Sequence, residues 1–308
     1  MYTVYTVHWV QTTPPYPAII VAELNMSSSS HSISLLDQPL PGGIQEEISC
    51  LLLVDRPQFG EIFGADHRQR LAACTGLVTA VARVGPSIVS HACIFYDDSC
   101  PHVGLLAHVF THPTHRRKGL SALVCQALLQ SWDRSHPHGS VVVLGTGSPH
   151  AAKVYQRESF THLLGGLDME MKGYNVDDMG EWIMVRDTFS LKRNMIEDPF
   201  HLKFFIEDSN LDNYSCVPLA PSHLPGLVLL FTCKDEQKKM LSIGVDTGLE
   251  AEEAVLRLLA DKKQQEAEYV VVVHQPSNQV QGLAGGDMHY AVTEGATKWI
   301  ETNRQKRS

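Results

Sequence analysis

The chain has 308 residues, 44% of them hydrophobic and 19% charged, with a net charge of -9 at neutral pH and a mean hydropathy of -0.10. That composition fits two globular domains with sizeable cores and excludes a disordered chain or one with membrane spans, whose apolar runs would reach roughly 20 residues. The acidic balance repels polyanions, so neither nucleic acid nor a membrane surface is expected as a partner.

In chain order, Tyr2–Trp9 alternates like a strand until Pro14, Pro15 and Pro17 break it, and Ala18–Glu23 reads as a second strand. The N-terminus has no basic segment followed by an apolar one, so no signal peptide is expected and the protein is placed in the cytoplasm. Seven cysteines, odd in number and without C-x-x-C spacing, suit buried thiols better than a disulfide framework or a zinc site. Ser27–Ser32 reads as a loop, and Ile44–Val54 as a helix with Glu46 and Glu47 in its first turn.

Leu77–Val84, Ile88–Tyr96 and Val103–Phe110 then read as three antiparallel strands, turned at Gly85-Pro86 and at Asp97–Ser99. Gly119–Ser135 follows as an amphipathic helix with a stripe of Leu120, Leu123, Val124, Ala127 and Leu128. Val141–Leu144 suits a central strand. Ser148 is placed to cap a helix with Pro149 at its first position, running to Glu158, and Phe160–Leu164 begins another strand before Gly165-Gly166.

Between the third strand and the long helix, Arg116, Arg117 and Lys118 stand together before Gly119, in a chain with only four basic residues up to position 115. A strand that empties through a basic, glycine-containing turn into a helix start presents unpaired N–H groups and the positive helix end to an anion. Gly119 permits close backbone approach, and a small Ser121 keeps the space open. His108, His112 and His115 are close in sequence, but a strand and turn are expected to point them apart, and no carboxylate or thiol completes a ligand set, so no metal is expected.

Thr111–Ser121 follows the pattern V-x-P-x-x-[RQ]-x-x-G-x-[GA], and Val141–Phe160 follows a strand, A-x-x-x-Y and terminal Phe pattern, through Ala151, Tyr155 and Phe160. With these motifs, residues 70 to 165 resemble the GCN5-related N-acetyltransferase (GNAT) superfamily. The resemblance implies an α/β (α+β) fold with a mixed, mostly antiparallel central sheet flanked by helices. It also implies transfer of an acetyl group from acetyl-CoA to a small-molecule amine by direct attack, without a metal. On that pattern the pyrophosphate is held by Arg116, Arg117, Lys118, Gly119, Leu120 and Ser121, and pantetheine pairs with the backbone of Val109, Phe110 and Thr111. Ser148 stands where relatives often have Asn beside the cofactor. Tyr155 takes the place of the hydroxyl that protonates the departing thiolate; the plainer reading of Tyr155 is a core tyrosine.

The chain departs from the pattern mildly at Ser121, which replaces Gly or Ala, and at Ser148, and further at two places. Glu158-Ser159-Phe160 lacks the usual Gly before Phe, and the strand positions expected for a general base are the apolar Leu105 and Ala107. His108 has the opposite side-chain parity unless a bulge intervenes, and deprotonation by water, His91, Asp97 or Glu61 stays open. Two alternatives are therefore kept: a CoA-binding protein without catalysis, and acyl transfer to a hydroxyl or from a longer acyl chain.

The expected division is N-terminal elements and a loop at 1–60, an acetyl-CoA-binding domain at 61–170, and an α/β domain at 171–308. In the last, Ile183–Val185, Lys203–Ile206, Leu227–Phe231 and Tyr269–His274 read as strands, Leu249–Glu268 as a helix, and Gly282, Gly285, Gly286 and Asp287 as a turn. Ser215–Leu227 resembles the strand, loop and helix that open the superfamily's fold, which makes this half readable as a cofactor-less second copy. A monomer or a homodimer is expected.

Overall fold

The computed structural model describes residues 20–26, 29–37, 40, 43–54, 76–97, 100–164, 182–188, 207–231, 269–285, 288–291 and 293–305. By contacts the chain divides into two compact units, Met1–Phe95 with Leu105–Pro137, and Tyr96–Gly104 with His138–Ser308. The tip of the second hairpin thus groups with the second unit. The expected strand Lys203–Ile206, the helix Leu249–Glu268, most of the N-terminal strand pair and the Gly165-Gly166 boundary lie outside the described residues.

In the first unit, β1 (Ile20–Met26), β2 (Ser29–Asp37), β3 (Gly76–Val84), β4 (Ser87–Asp97) and β5 (Cys100–Thr111) lie side by side in that order, with β1–β2 and β2–β3 antiparallel. The expected loop at Ser27–Ser32 is corrected, because β2 begins at Ser29. Serine is a weak strand former, but edge-to-edge pairing with β1 and β3 overrides the local preference.

Helix α1 (Ile44–Leu53) buries Ile48, Leu51 and Leu52 against Leu36, Val81 and Ile88. Its Glu47 carboxylate accepts from both terminal nitrogens of Arg83, at 3.3 and 3.1 Å, and from the Ile88 N–H at 2.6 Å, tying the helix to the β3–β4 turn. Helix α2 (Leu120–Ser135) packs on β2 and β3 through Leu120, Val124, Cys125, Leu128, Leu129 and Trp132. The buried stripe is therefore rotated from the expected one: Leu123 and Ala127 are half-buried and Cys125 and Leu129 lie in the core.

In the second unit, β6 (Val141–Thr146) pairs antiparallel with β8 (Trp182–Asp187), which pairs antiparallel with β7 (Thr161–Leu164). The Thr188 hydroxyl closes the end of this sheet, accepting from Ser140 N at 2.7 Å and donating to Ser140 O at 3.1 Å. Helix α3 (Pro149–Arg157) follows β6. A second, four-stranded sheet has the order β9 (Tyr214–Pro218), β10 (Val270–His274), β11 (Gln279–Gly285) and β12 (Met288–Ala291), all antiparallel. Helix α4 (Leu224–Phe231) and helix α5 (Glu294–Gln305) complete it.

Two expectations are overturned here. Leu227–Phe231 belongs to helix α4 rather than to a strand: a short apolar run buried on all sides has no period to read. Gly282 and Gly285 sit within β11, paired with Ala291 and Met288 of β12, rather than in a turn. Gly295 near the start of α5 has a steric reason to be glycine. A Cβ there would collide with the Asp208 carbonyl oxygen and the Tyr214 hydroxyl and stand 2.9 Å from the Tyr214 ring. Gly295→Ala is expected to cost about 3 kcal/mol, overpacking that the clamped backbone cannot relieve. Urea unfolding checks this, with Gly226→Ala, which meets only the Val280 side chain, as the milder comparison.

Candidate functional site

The strand leading to the basic turn is irregular. His108, inside β5, has a left-handed backbone with φ 53, a costly conformation for a residue with a Cβ. Around it, side chains of β4 donate to carbonyls of β5. Cys93 Sγ reaches Ala107 O at 3.3 Å, His91 Nδ1 meets His108 O at 3.0 Å, and Ser90 Oγ reaches Phe110 O at 3.0 Å. Ser90 Oγ also meets Thr111 Oγ1 at 2.8 Å, and His112 N donates to Val89 O at 2.8 Å beyond the kink. A kinked strand turns carbonyls away from regular pairing, and these polar side chains satisfy them.

Leu105 is buried, and the His108 ring packs edge-on against Phe95, 5.7 Å between centres. His91 is fully buried, and its pKa falls to about 3, through burial first and then the charge of His108, against the hydrogen bond to the His108 carbonyl. It is a neutral donor that braces the kink, and too weak a base to collect a proton at neutral pH. Asp97 ends β4, where it lines a cavity of about 180 Å³ in the second unit with Cys100, His223 and Val280. None of the residues singled out from the sequence for cofactor binding lines it. Glu61 lies outside the described residues.

At the turn, Pro113–His115 form one 3-10 turn, and His112 Nδ1 accepts from Thr114 N at 3.3 Å. The three-residue period brings His115 edge-on to His112, ring centres 5.9 Å apart. The expectation that these histidines point apart is thus corrected for His112 and His115. The pKa of His115 is lowered by burial and then by Lys118, His112 and His31, a grouping invisible in the sequence because His31 comes from β2. Among the described residues no group of three His, Cys, Asp or Glu is arranged to hold a metal ion.

Arg116 donates from Nε to Thr111 O at 3.1 Å and lies 5.5 Å from the Phe110 ring centre, so this cation is anchored over the end of β5. Arg117 and Gly119 both have left-handed backbones, φ 63 and 77. Helix α2 begins without a side-chain cap, and its ladder starts with Leu123 N donating to Gly119 O at 3.1 Å. The N–H groups of Leu120, Ser121 and Ala122 therefore lie outside the helical ladder. A Cβ on Gly119 would meet nothing within 4 Å. Exposed cations, uncapped amides and open space over the glycine fit a phosphate-bearing cofactor.

Val109, Phe110 and Thr111 are half-buried at the end of β5. In the second unit, Ser148 is exposed and caps α3, its Oγ accepting from Ala151 N at 3.3 Å, with Pro149 at the first helical position. Tyr155 is buried at 7% exposure, its ring 6.0 Å from that of Phe160, and Phe160 N donates to Tyr155 O at 3.1 Å. Burial pushes the Glu158 carboxyl up, opposed by Arg186, which donates from Nε to Glu158 O at 3.0 Å.

Residues 49–160 match the acetyltransferase (GNAT) family. This stretch is a GNAT domain. The mixed α/β architecture, with a mainly antiparallel sheet flanked by helices, is the one that goes with that family, and the activity the GNAT domain implies is acyl-CoA-dependent N-acyl transfer. Among solved structures, the ribosomal-protein-S18-alanine N-acetyltransferase of Escherichia coli is similar at 11% identity over 50% of this chain and 93% of its own, with a TM-score of 0.35. A Bacillus subtilis acetyltransferase in complex with CoA is similar at 14% identity over 50% and 97%, TM-score 0.35. A Staphylococcus aureus acetyltransferase of the GNAT family is similar at 14% over 50% and 98%, TM-score 0.35. Likenesses at this level assign no substrate to this chain. No curated protein matches the sequence. Among the described residues no helix is long and apolar enough to cross a membrane.

Proposed function

We propose that this chain is a cytoplasmic acetyltransferase that moves an acetyl group from acetyl-CoA to the amine of a small molecule. The observation that supports it most is the turn Arg116–Ser121, with Gly119 left-handed, three exposed cations, and amides at the start of α2 that no side chain caps, inside a GNAT domain. In this reading the pyrophosphate lies against the N–H groups of residues 117–121, and pantetheine runs along the backbone of Val109, Phe110 and Thr111, with Ser148 also beside the cofactor. The neutral amine nitrogen attacks the thioester carbonyl, a C–N bond forms, the C–S bond breaks, and the Tyr155 hydroxyl gives its proton to the thiolate. The amine's proton leaves to water, since Leu105 is apolar and His91 is neutral and buried, and the Tyr155 phenolate regains a proton from water. Calorimetric titration with CoA and acetyl-CoA tests the binding half; an amine panel read by release of free thiol tests the transfer. Binding of neither ligand would overturn the proposal.

A second reading, a CoA-binding protein without catalysis, is favoured by the same apolar strand positions. Acetyl-CoA binding with no thiol release from any amine would support it.

Burial, and after it the neighbours Lys118, His112 and His31, add a pH dependence through His115. They hold its pKa down, whereas a bound pyrophosphate would raise it, so binding is accompanied by proton uptake. The CoA Kd is expected to fall a few-fold as pH drops from about 7.5 to 6, within the ordinary histidine range. Titrations in two buffers of different ionisation enthalpy measure the uptake, and His115→Gln should abolish it.

A further inference from the structure

The two sheets repeat one plan. Residues 29–135 run β2, α1, β3, β4, β5, α2, with strand order β2-β3-β4-β5. Residues 207–305 run β9, α4, β10, β11, β12, α5, with strand order β9-β10-β11-β12. Among the described residues of each, a strand and a helix precede a three-strand meander, and a final helix follows the last strand. In each, a glycine stands at the start of that final helix, Gly119 before α2 and Gly295 within the first turn of α5.

The two helix starts differ in what they face. The start of α2 has no side-chain cap and three exposed cations before it. At α5, the Glu207 carboxylate accepts from Glu294 N at 3.0 Å and from Gly295 N at 2.8 Å, one oxygen to each. Thr293 Oγ1 accepts from Ala296 N at 3.2 Å, and Thr293 O accepts from Thr297 N at 3.0 Å to begin the ladder. The N–H groups of Glu294, Gly295 and Ala296, which the helix leaves unpaired at its start, are thus used from within the chain. The segment carrying Glu207 is clamped as well. Asp208 Oδ2 accepts from Asn213 Nδ2 at 2.6 Å and from His274 Nε2 at 3.1 Å, Asp208 Oδ1 accepts from Asn210 N at 2.8 Å, and the Tyr214 hydroxyl donates to Asp208 O at 3.1 Å. The bond from Asn213, then that from the Asn210 backbone, then that from His274 hold the Asp208 carboxyl down at about 2.

We infer that residues 207–305 are a second copy of the fold of residues 29–135 whose anion position is filled by the chain's own Glu207 carboxylate, so that the protein binds one CoA and not two. The two N–H groups that α2 leaves open to a phosphate are, at α5, satisfied by a carboxylate of the same charge sign and the same two-oxygen reach. The cofactor count rests on the proposed function above; the role of Glu207 does not.

Two measurements test it. Titration of the intact chain with CoA should give one molecule per chain. Two would overturn the inference; none would overturn the proposed function and leave the second measurement to decide. For that, Glu207→Ala is made in a Gly119→Glu background, so that the first turn contributes no anion response. Its Tm should fall by roughly 2–4 °C, one exposed and one part-buried N–H group having lost their charged acceptor. Sulfate should recover more of that loss than sodium chloride of equal ionic strength does, while the Gly119→Glu parent shows no such excess. Equal responses would overturn the inference. If the alanine variant does not fold, Glu207→Gln keeps one acceptor oxygen, and hydrogen exchange at the Glu294 and Gly295 amides should quicken at least tenfold; unchanged protection would count against it equally.

Discussion

Gly119→Glu should weaken CoA binding by at least 100-fold, about 3 kcal/mol, in calorimetric titration. Two effects combine. A side chain at φ 77 strains the backbone by about 1–2 kcal/mol and disturbs the turn that aims the amides. The new carboxylate would project into the open space over the turn, where no protein atom stands within 4 Å of the Cβ, and would repel or replace the phosphate. Gly119→Ala separates the two. It carries the strain without the charge, so it should lower stability by about 1 kcal/mol and affinity by tenfold or less. Unchanged affinity in the glutamate variant would mean that the cofactor phosphates lie elsewhere.

Tyr155→Phe should lower kcat by about 100-fold, in the range typical for losing a general acid, while the Kd for acetyl-CoA moves less than threefold. The buried ring against Phe160 is retained in phenylalanine, so the core contact survives and only the hydroxyl is removed. Losses of equal size in kcat and affinity, or a Tm fall without change in kcat, would assign Tyr155 to packing instead. Measuring all three in the same preparation decides between the roles.

Much of residues 76–164 could be read because the signals there are local. Gly85-Pro86 turns one hairpin, Ser148 and Pro149 start a helix, and Gly119 stands at the left-handed position before another. Each of these depends on residues within a few positions, so spacing alone reveals it. Leu224–Phe231 could not be read in this way, because burial on every side erases periodicity. The Ser29–Ser32 strand was equally hidden, since its pairing partners rather than its own propensities hold it extended.

The basic turn, the Gly119 position and the family motif were determined by the sequence itself, as short-range chemistry at a strand-to-helix junction. Only the tertiary structure decided which groups surround that junction and which meet the start of α5. His91 and Ser90 reach the kinked strand from its neighbour, His31 joins His115 from β2, and Glu207 crosses 88 positions to meet Gly295. Contacts of that kind follow from sheet order and register, where a shift of one residue would reverse every side chain. They decided that the strand before the turn carries a braced kink without an evident base, and that the second helix start is already occupied.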